Sequence, residues 1–494
     1  MEWWQELALD REKSAALYQQ LYEQIKKYIC SGGIREGNKL PPIRKLASEL
    51  EVNPATVVSA YEQLADEDLI YKKVGSGSFV APRSPSAFGR ESVGKEGEAS
   101  LDMLGYGQID IRGDINFASA TPASSFFPVD DFKKAINSVL DRDGGEAFTY
   151  QRSQGYYPLR QSIQSYFSGR GLDLPLDEIH VVSGAQQAID LLVKTLIDYG
   201  EGVLAERPTY PGALSAFRSR AARVDTVRMT SEGMDMDALE SILEKGDYRL
   251  IYTMTSFQNP TGVSWSEENK ERLLQLASEH ELVIIEDDCL SELNYEGERT
   301  CPLKSLDSQG RVFYIKSFSK VFMPGLRLAF LTIPEKYRSR LLEAKHATDI
   351  SSAGLTQRAM DYYLRQDMWD EHLENIRELF GRKFSLMKEE IERRLIPPLE
   401  FAFQPRGGIY FWLKLPQQVN GDEFYRTARS REVALLPGRV FAGTEEDLGS
   451  FFRLSFAAVS RREIEQGISR LENIIADMIQ QDERKDEDGY IPLV

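Results

Sequence analysis

Between residues 178 and 319 the chain alternates short apolar runs with longer amphipathic stretches, and no other feature limits the possible folds as strongly. The runs are EIHVVSG, GVLAERP, RLIYTMTSF, LVIIEDD and VFYIKSFS; the stretches between them include AQQAIDLLVKTLIDYG and SEENKERLLQLASEH. Short runs that stay apolar without alternating are strands buried on both faces, and helices between them give a mostly parallel sheet covered by helices. Beyond about Asp370 the pattern changes to long amphipathic helices with a few short strands, GIYFWLKL and FFRLSFA, which predicts a smaller C-terminal α+β lobe.

The first 82 residues follow a different rule. In ALYQQLYEQIKKYI the apolar residues Leu17, Leu21, Ile25 and Ile29 repeat every four positions and mark one helix face. SGGIREG ends that helix, IRKLASEL after Pro41-Pro42 is a second, and ATVVSAYEQLADED, opened by Asn53 and Pro54, is a third. LIYKKVGSGSFVAP then reads as two short strands around a Gly-Ser-Gly tip. Helix, helix, turn, helix and hairpin make a winged helix-turn-helix. From Pro82 to about Gly113 the composition shifts to Ser, Gly, Pro and scattered charge, which predicts a linker. The domains expected are therefore 14–82, a linker 83–113, a large domain 114–480 and a charged tail 481–494 without regular structure.

Charge and rare residues narrow the functions. The net charge is −17, whereas residues 1–83 carry 11 Lys/Arg against 12 Asp/Glu, so about −16 lies beyond them. A nucleic-acid contact must then come from a local basic face in the first 83 residues. Cys30, Cys289 and Cys301 stand in unrelated contexts with no CxxC spacing, and the four histidines lack metal-ligand spacing, so neither a disulfide framework nor a metal centre is expected. The start MEWWQELALD has no apolar leader core and no run reaches a membrane span, which predicts a cytoplasmic protein.

A helix-turn-helix places the second helix of its pair in the major groove while helix starts and the wing meet phosphates. Here Thr56, Val57, Ser59, Ala60 and Tyr61 would line that helix, with Arg44 and Lys45 at the start of the preceding one and Lys72 and Lys73 beside the wing tip. Gly75 and Gly77 let the wing turn tightly. Over more than 60 residues the segment resembles the winged-helix domain of GntR-type bacterial regulators, whose motif runs approximately LYxQI…GxxxxGxxLPSxRxLAxxLxVxxxTVxxAYxxLxxxGLIxxxxGxGxFV. The resemblance carries DNA-contacting roles to Arg44, Thr56 and Gly77. The chain departs from it with Pro42 in place of serine and Asp68 in place of glycine, and Pro42 lacks both a hydroxyl and an N–H for a phosphate.

The second constellation centres on SFSKVFMPGLR, residues 317–327. Lys320 follows the strand VFYIKSFS, Asp287 follows LVIIE, Asn259 lies in QNPTG after RLIYTMTSF, and SGA at 183–185 opens a helix. Strand ends of this kind open into the cleft beyond the carboxyl edge of a parallel sheet. An imine lysine, a carboxylate for a ring nitrogen, a donor for a ring oxygen and an anion cup are together what pyridoxal 5′-phosphate requires. Ser317, Arg327 and the helix start at 183–185 supply the cup, and Tyr210 after Arg207-Pro208 is placed to stack on a ring. Lys316, four residues earlier, is a second imine candidate, disfavoured by its spacing to Pro324, Gly325 and Arg327.

The order SGAQQAID, RPTYPG, QNPTG, EDD, SFSKxxxPGxR, FRLSFA also resembles the aminotransferases of fold type I, over approximately residues 114–478. That resemblance implies an α/β transferase fold with Lys320 as the imine lysine, Asp287 opposite the pyridinium, Asn259 donating to the ring oxygen and Tyr210 stacking. It puts the phosphate on Ser317, Arg327 and the amides of Gly184 and Ala185, an effector carboxylate on Arg453, and Tyr150 on the phosphate of a neighbouring subunit, which implies a homodimer. Where the family usually has a tyrosine donor two residues after the aspartate, this chain has Cys289, a weak donor.

A winged helix, a linker and an aminotransferase-like domain in this order resemble the MocR subgroup of GntR regulators, the GabR type. By that resemblance the chain is a multidomain regulator that senses an amino compound through imine exchange, rather than an enzyme that turns it over, and acts on operator DNA as a head-to-tail dimer. Two other readings use the same residues: a working aminotransferase with an attached DNA anchor, and a repressor whose second domain has lost its cofactor.

Overall fold

The computed structural model describes residues 4, 9, 16–30, 34, 38–50, 52–66, 69–73, 77–80, 115–295, 301–442 and 448–488. The chain forms two compact units that divide between Leu101 and Asp102. The expected linker, the wing tip at 74–76 and the last residues of the tail lie outside the described residues.

The N-terminal unit contains α1 (Leu17–Cys30), α2 (Ile43–Glu49), α3 (Pro54–Asp66), β1 (Ile70–Lys73) and β2 (Gly77–Val80). Asn53 starts α3: its side-chain oxygen accepts from the Ala55 amide at 2.9 Å, and Pro54 takes the first helical position, where no N–H is needed. Leu21, Ile25 and Ile29 of α1 are buried against Leu46 of α2 and against Val57, Ala60, Tyr61 and Leu64 of α3. Full burial of a side chain of this size contributes about 1.5–3 kcal/mol, so this one stripe carries much of a small unit's stability. β1 and β2 pair antiparallel from Ile70↔Val80 to Lys73↔Gly77, which forms the wing.

In the C-terminal unit β3 (Ile115–Asn116) is followed by β4 (Ile179–Val182), β5 (Gly202–Arg207), β6 (Arg223–Thr230), β7 (Gly233–Met234), β8 (Leu250–Thr253), β9 (Val283–Asp288), β10 (Val312–Ser317) and β11 (Ala329–Thr332). Strands β4 to β11 form one eight-stranded sheet in the order β4-β11-β10-β9-β8-β5-β6-β7. The run β10, β9, β8, β5, β6 is parallel, while β11 is antiparallel to both neighbours. Every residue of β4, β8, β9 and β10 is buried, as continuous apolar runs demand, and all the parallel strands aim their carboxyl ends at one edge. Helix α4 (Ala185–Leu196) returns from β4 along the sheet.

The smaller lobe is built on β12 (Glu400–Phe401), β13 (Tyr410–Lys414), β15 (Leu436–Pro437) and β16 (Phe451–Ser455), an antiparallel sheet in the order β12-β13-β16-β15, while β14 (Val433–Ala434) pairs with β3. Its long helices are Met368–Arg394 and Arg461–Asp488. The second of these corrects one expectation: instead of an irregular tail from 481, the helix continues to Asp488, its early turns held by buried Ile464, Ile468, Leu471 and Ile474.

Candidate functional site

β9 ends in three consecutive acids, Glu286, Asp287 and Asp288, all buried. Burying a carboxylate is costly unless hydrogen bonds replace its water, so their partners matter. Glu286 accepts from Thr255 Oγ1 at 2.5 Å and from the Leu303 and Lys304 amides at 2.7 and 2.8 Å. Asp288 accepts from Tyr314 Oη at 2.6 Å and Ser291 Oγ at 2.7 Å, and pairs with Lys316 at 3.1 Å. Asp287 differs. Its Oδ2 accepts from Tyr252 Oη at 2.7 Å, but its Oδ1 is buried with no partner among the described residues. Burial pushes the Asp287 carboxyl up to about 6, partly offset by the Tyr252 hydroxyl. Side chains alternate along a strand, so Asp287 faces away from its two neighbours, toward a place where a donor is missing.

The two lysines of β10 and its exit loop divide in the same way. Lys316 is fully buried, donates to Glu292 Oε2 at 2.6 Å and Ser291 Oγ at 2.8 Å, and is held charged by Asp288 and Glu292. Lys320 is half-buried and, among the described residues, has no hydrogen-bond partner. Burial lowers its ammonium; the Arg453 and Arg327 cations act in the same direction against Cys289 and Asp287. A lysine with a lowered pKa offers a free amine for attack on a carbonyl, which Lys316 in its ion network cannot do.

Arg453 on β16 is buried beside them. Its Nη1 donates to Asn259 Oδ1 at 2.8 Å and its Nη2 to the Ala118 carbonyl at 2.6 Å, while Nε has no partner among the described residues. The bond to Asn259 occupies the amide oxygen and leaves the NH2 group as the end of Asn259 that can donate to a ligand. The loop carrying Asn259 is anchored by buried Glu206, which accepts from Thr253 Oγ1 at 2.6 Å, Gln258 Nε2 at 3.0 Å and Trp265 Nε1 at 3.3 Å.

An anion cup lies at the start of α4. Gly184 has φ +95°, and a Cβ there would come within 2.5 Å of Arg327 Nη2, so only glycine lets the guanidinium lie against this helix start. Arg327 Nη2 also donates to the Ser183 carbonyl at 3.0 Å, and Ser317 is buried nearby in sequence, its hydroxyl accepting from the Ser319 amide at 3.3 Å. Helix-start amides beside a guanidinium favour a phosphate. Tyr210 is half-buried, 3.4 Å from Gln186 Oε1, and its hydroxyl is pushed up to about 12 by burial and by Asp287. Cys289 is buried and held as a neutral thiol by burial.

The residues present fit pyridoxal phosphate. Asp287 Oδ1 lacks the donor a protonated pyridine nitrogen would supply, the Gly184–Arg327 cradle suits the phosphate, and Lys320 is the uncommitted amine. Tyr150 stands apart, 83% exposed, and does not join this pocket within its own chain. Tyr252 and Tyr410 were not anticipated: the first holds Asp287, and the second lies with its ring 4.6 Å from the Arg453 guanidinium. A tyrosine inside a continuous buried run such as β8 signals a hidden partner, but only strand register says which one.

On the N-terminal unit Arg44 and Ser59 are exposed and Thr56 is half-buried at the start of α3. Tyr61 is a correction. It is 1% exposed and donates its hydroxyl to the Pro41 carbonyl at 2.8 Å, so it belongs to the core, as do Val57 and Ala60. The stripe Val57, Ala60, Tyr61, Leu64 at i, i+3, i+4, i+7 explains why. Gly77 opens β2; the side chain of Lys72 lies outside the described residues.

Two family descriptions match the chain: "Aminotransferase class I and II" over residues 113–471 and "Bacterial regulatory proteins, gntR family" over 17–80. A 2-aminoadipate transaminase of Thermus thermophilus is 35% identical over 73% of this chain and 89% of its own length. A Rhizobium meliloti protein named "Probable rhizopine catabolism regulatory protein MocR" is 26% identical over 94% of this chain and 95% of its own. Among solved structures, LysN, the α-aminoadipate aminotransferase of Thermus thermophilus in complex with N-(5′-phosphopyridoxyl)-L-leucine, aligns with a TM-score of 0.70 and 32% identity, covering 78% of this chain and 99% of that one.

Proposed function

The chain belongs to the class I and II aminotransferase family, fused behind a GntR-type DNA-binding domain in the MocR arrangement, and on that premise we propose that this regulator senses an amino compound through the pocket around Lys320. The family's cofactor is pyridoxal phosphate. When bound, it supplies an aldehyde carbon that Lys320 and an incoming primary amine can occupy in turn, the one amine leaving as the other attaches. The observation that carries the proposal is the contrast among the three buried acids of β9, of which Asp287 alone keeps an unpartnered oxygen.

In this reading Lys320 holds the cofactor, Asp287 stabilises its ring nitrogen, Asn259 donates to its ring oxygen and Tyr210 covers a face. Gly184, Ala185, Ser317 and Arg327 hold its phosphate. Arg453 takes the effector carboxylate, since a buried guanidinium with an unpaired Nε suits a planar anion. Tyr150 serves the site of a second copy in a head-to-tail homodimer, consistent with its exposure and that of Phe148 and Ile350, whose loops meet where the Gln151 amide donates to Ser351 Oγ at 2.8 Å. Arg44, Thr56, Ser59, Lys72 and Gly77 meet operator DNA. Among the described residues no helix is long and apolar enough to cross a membrane, and we place the protein in the cytoplasm.

A second reading, a working aminotransferase, is favoured by the intact Arg453–Asn259 bond and by the identity to a transaminase. The test is a screen of amino compounds against the cofactor-loaded protein. Absorbance change and altered operator binding without keto-acid formation supports the sensor; steady turnover with a keto acid supports the enzyme.

A further inference from the structure

Tyr410 opens β13, paired with Ser455 in register, while Trp412 pairs with Arg453. Residues two apart on a strand, and residues opposite each other, share a face, so Tyr410, Trp412, Arg453 and Ser455 line one side of the small sheet. The Tyr410 ring lies against the Arg453 guanidinium at 4.6 Å, and its hydroxyl is buried with no partner among the described residues. Buried phenols almost always find an acceptor, and an orphan calls for an explanation. Besides Arg453, the groups of the pocket already described that act electrostatically on this hydroxyl are Cys289, Tyr210 and Asp287. Arg453 Nε and Asp287 Oδ1 are orphaned in the same way. Burial raises the Tyr410 hydroxyl, so it stays protonated and can only give its proton to an acceptor, not carry charge. The thiol of Cys289 is a poor donor at best.

We infer that Tyr410 is the phenol donor of this site: its hydroxyl donates to an anionic oxygen that arrives with a ligand, serving from the small sheet the role that Cys289 cannot serve from the exit of β9. The oxygen is the cofactor's ring oxygen or the effector's carboxylate, and the inference rests on the cofactor site proposed above. It gives Arg453 and Tyr410 a joint function, the guanidinium supplying charge and the phenol a directed hydrogen bond.

The experiment compares the cofactor-loaded wild type with Tyr410→Phe, which keeps the ring against Arg453. The visible absorbance is titrated with pH, and then with methylamine and with L-alanine, amines without and with a carboxylate. If the hydroxyl serves the ring oxygen, its loss withdraws support from the anionic oxygen and the absorbance transition moves up by about one pH unit or more. If it serves the carboxylate, L-alanine weakens by roughly tenfold or more while methylamine is unaffected. Either result supports the proposal; an unmoved transition together with unchanged amine titrations overturns it. A wild type that takes up no cofactor, or whose absorbance survives Lys320→Ala, would sink the site reading itself, a failure distinct from a sound wild type that Tyr410→Phe merely matches.

Discussion

The hydroxyl of Tyr252 donates to Asp287 Oδ2 at 2.7 Å, linking the end of β8 to the end of β9 at the acid whose other oxygen has no partner among the described residues. Burial is the larger influence on Asp287 and raises it to about 6; the Tyr252 bond pulls it back down. A protonated Asp287 cannot stabilise a pyridinium, so cofactor affinity should fall as pH drops through about 6. Tyr252→Phe should move that midpoint upward and weaken cofactor binding by about 1 kcal/mol, roughly fivefold. Equilibrium titration of the cofactor-free protein from pH 5 to 8 measures both, and a flat pH profile would contradict the role given to Asp287.

Lys316 and Lys320 should fail differently when removed. Lys320→Ala should abolish borohydride labelling with little effect on stability, because its amine has no hydrogen-bond partner among the described residues to lose. Lys316→Ala leaves Asp288 and Glu292 buried without their cation and should cost about 3–5 kcal/mol in thermal or denaturant unfolding. Peptide mapping of the reduced protein checks the assignment; label on Lys316 would reverse it.

At Gly184 an added Cβ meets both a left-handed backbone and the Arg327 guanidinium. The arginine is the more flexible of the two and should give way. Gly184→Ala should therefore weaken cofactor binding by at least tenfold, while the cofactor-free protein loses only about 1–2 kcal/mol. Equal affinity for wild type and variant would remove the phosphate cup from the α4 start.

The winged helix separates reading from packing. Arg44→Ala, at an exposed position, should weaken operator binding by about 1–3 kcal/mol with an unchanged melting curve. Tyr61→Phe should instead cost about 1 kcal/mol of stability through the bond lost to Pro41, with its specificity retained. Binding isotherms at matched salt and thermal melts of both variants distinguish the roles.

The sequence made the sheet legible because strands buried on both faces must be continuously apolar, and the exits of those strands placed Lys320, Asp287 and Asn259 at one edge. What it hid depends on register. Nothing in the spacing says that Tyr252 reaches two residues along the next strand to Asp287, or that Tyr410 lies two residues from the partner of Arg453. Placing Tyr61 on the reading face of α3 treats every side of that helix as open to DNA, whereas the apolar stripe Val57, Ala60, Tyr61, Leu64 assigns it to the core. The charge of the tail argues for irregular chain from 481, but a helix anchored by Ile464 to Ile474 carries a charged extension onward to Asp488.

If effector sensing passes through Lys320, the response must vanish with that amine. An operator selected by the purified protein from random duplexes, and a panel of L-α-amino acids and ω-amino acids, allow in vitro transcription to be measured with wild type and Lys320→Ala. Lys320→Ala should bind the operator as tightly as wild type, and no compound which changes transcription with wild type should do so with the variant. An unaltered effector response in Lys320→Ala would contradict it.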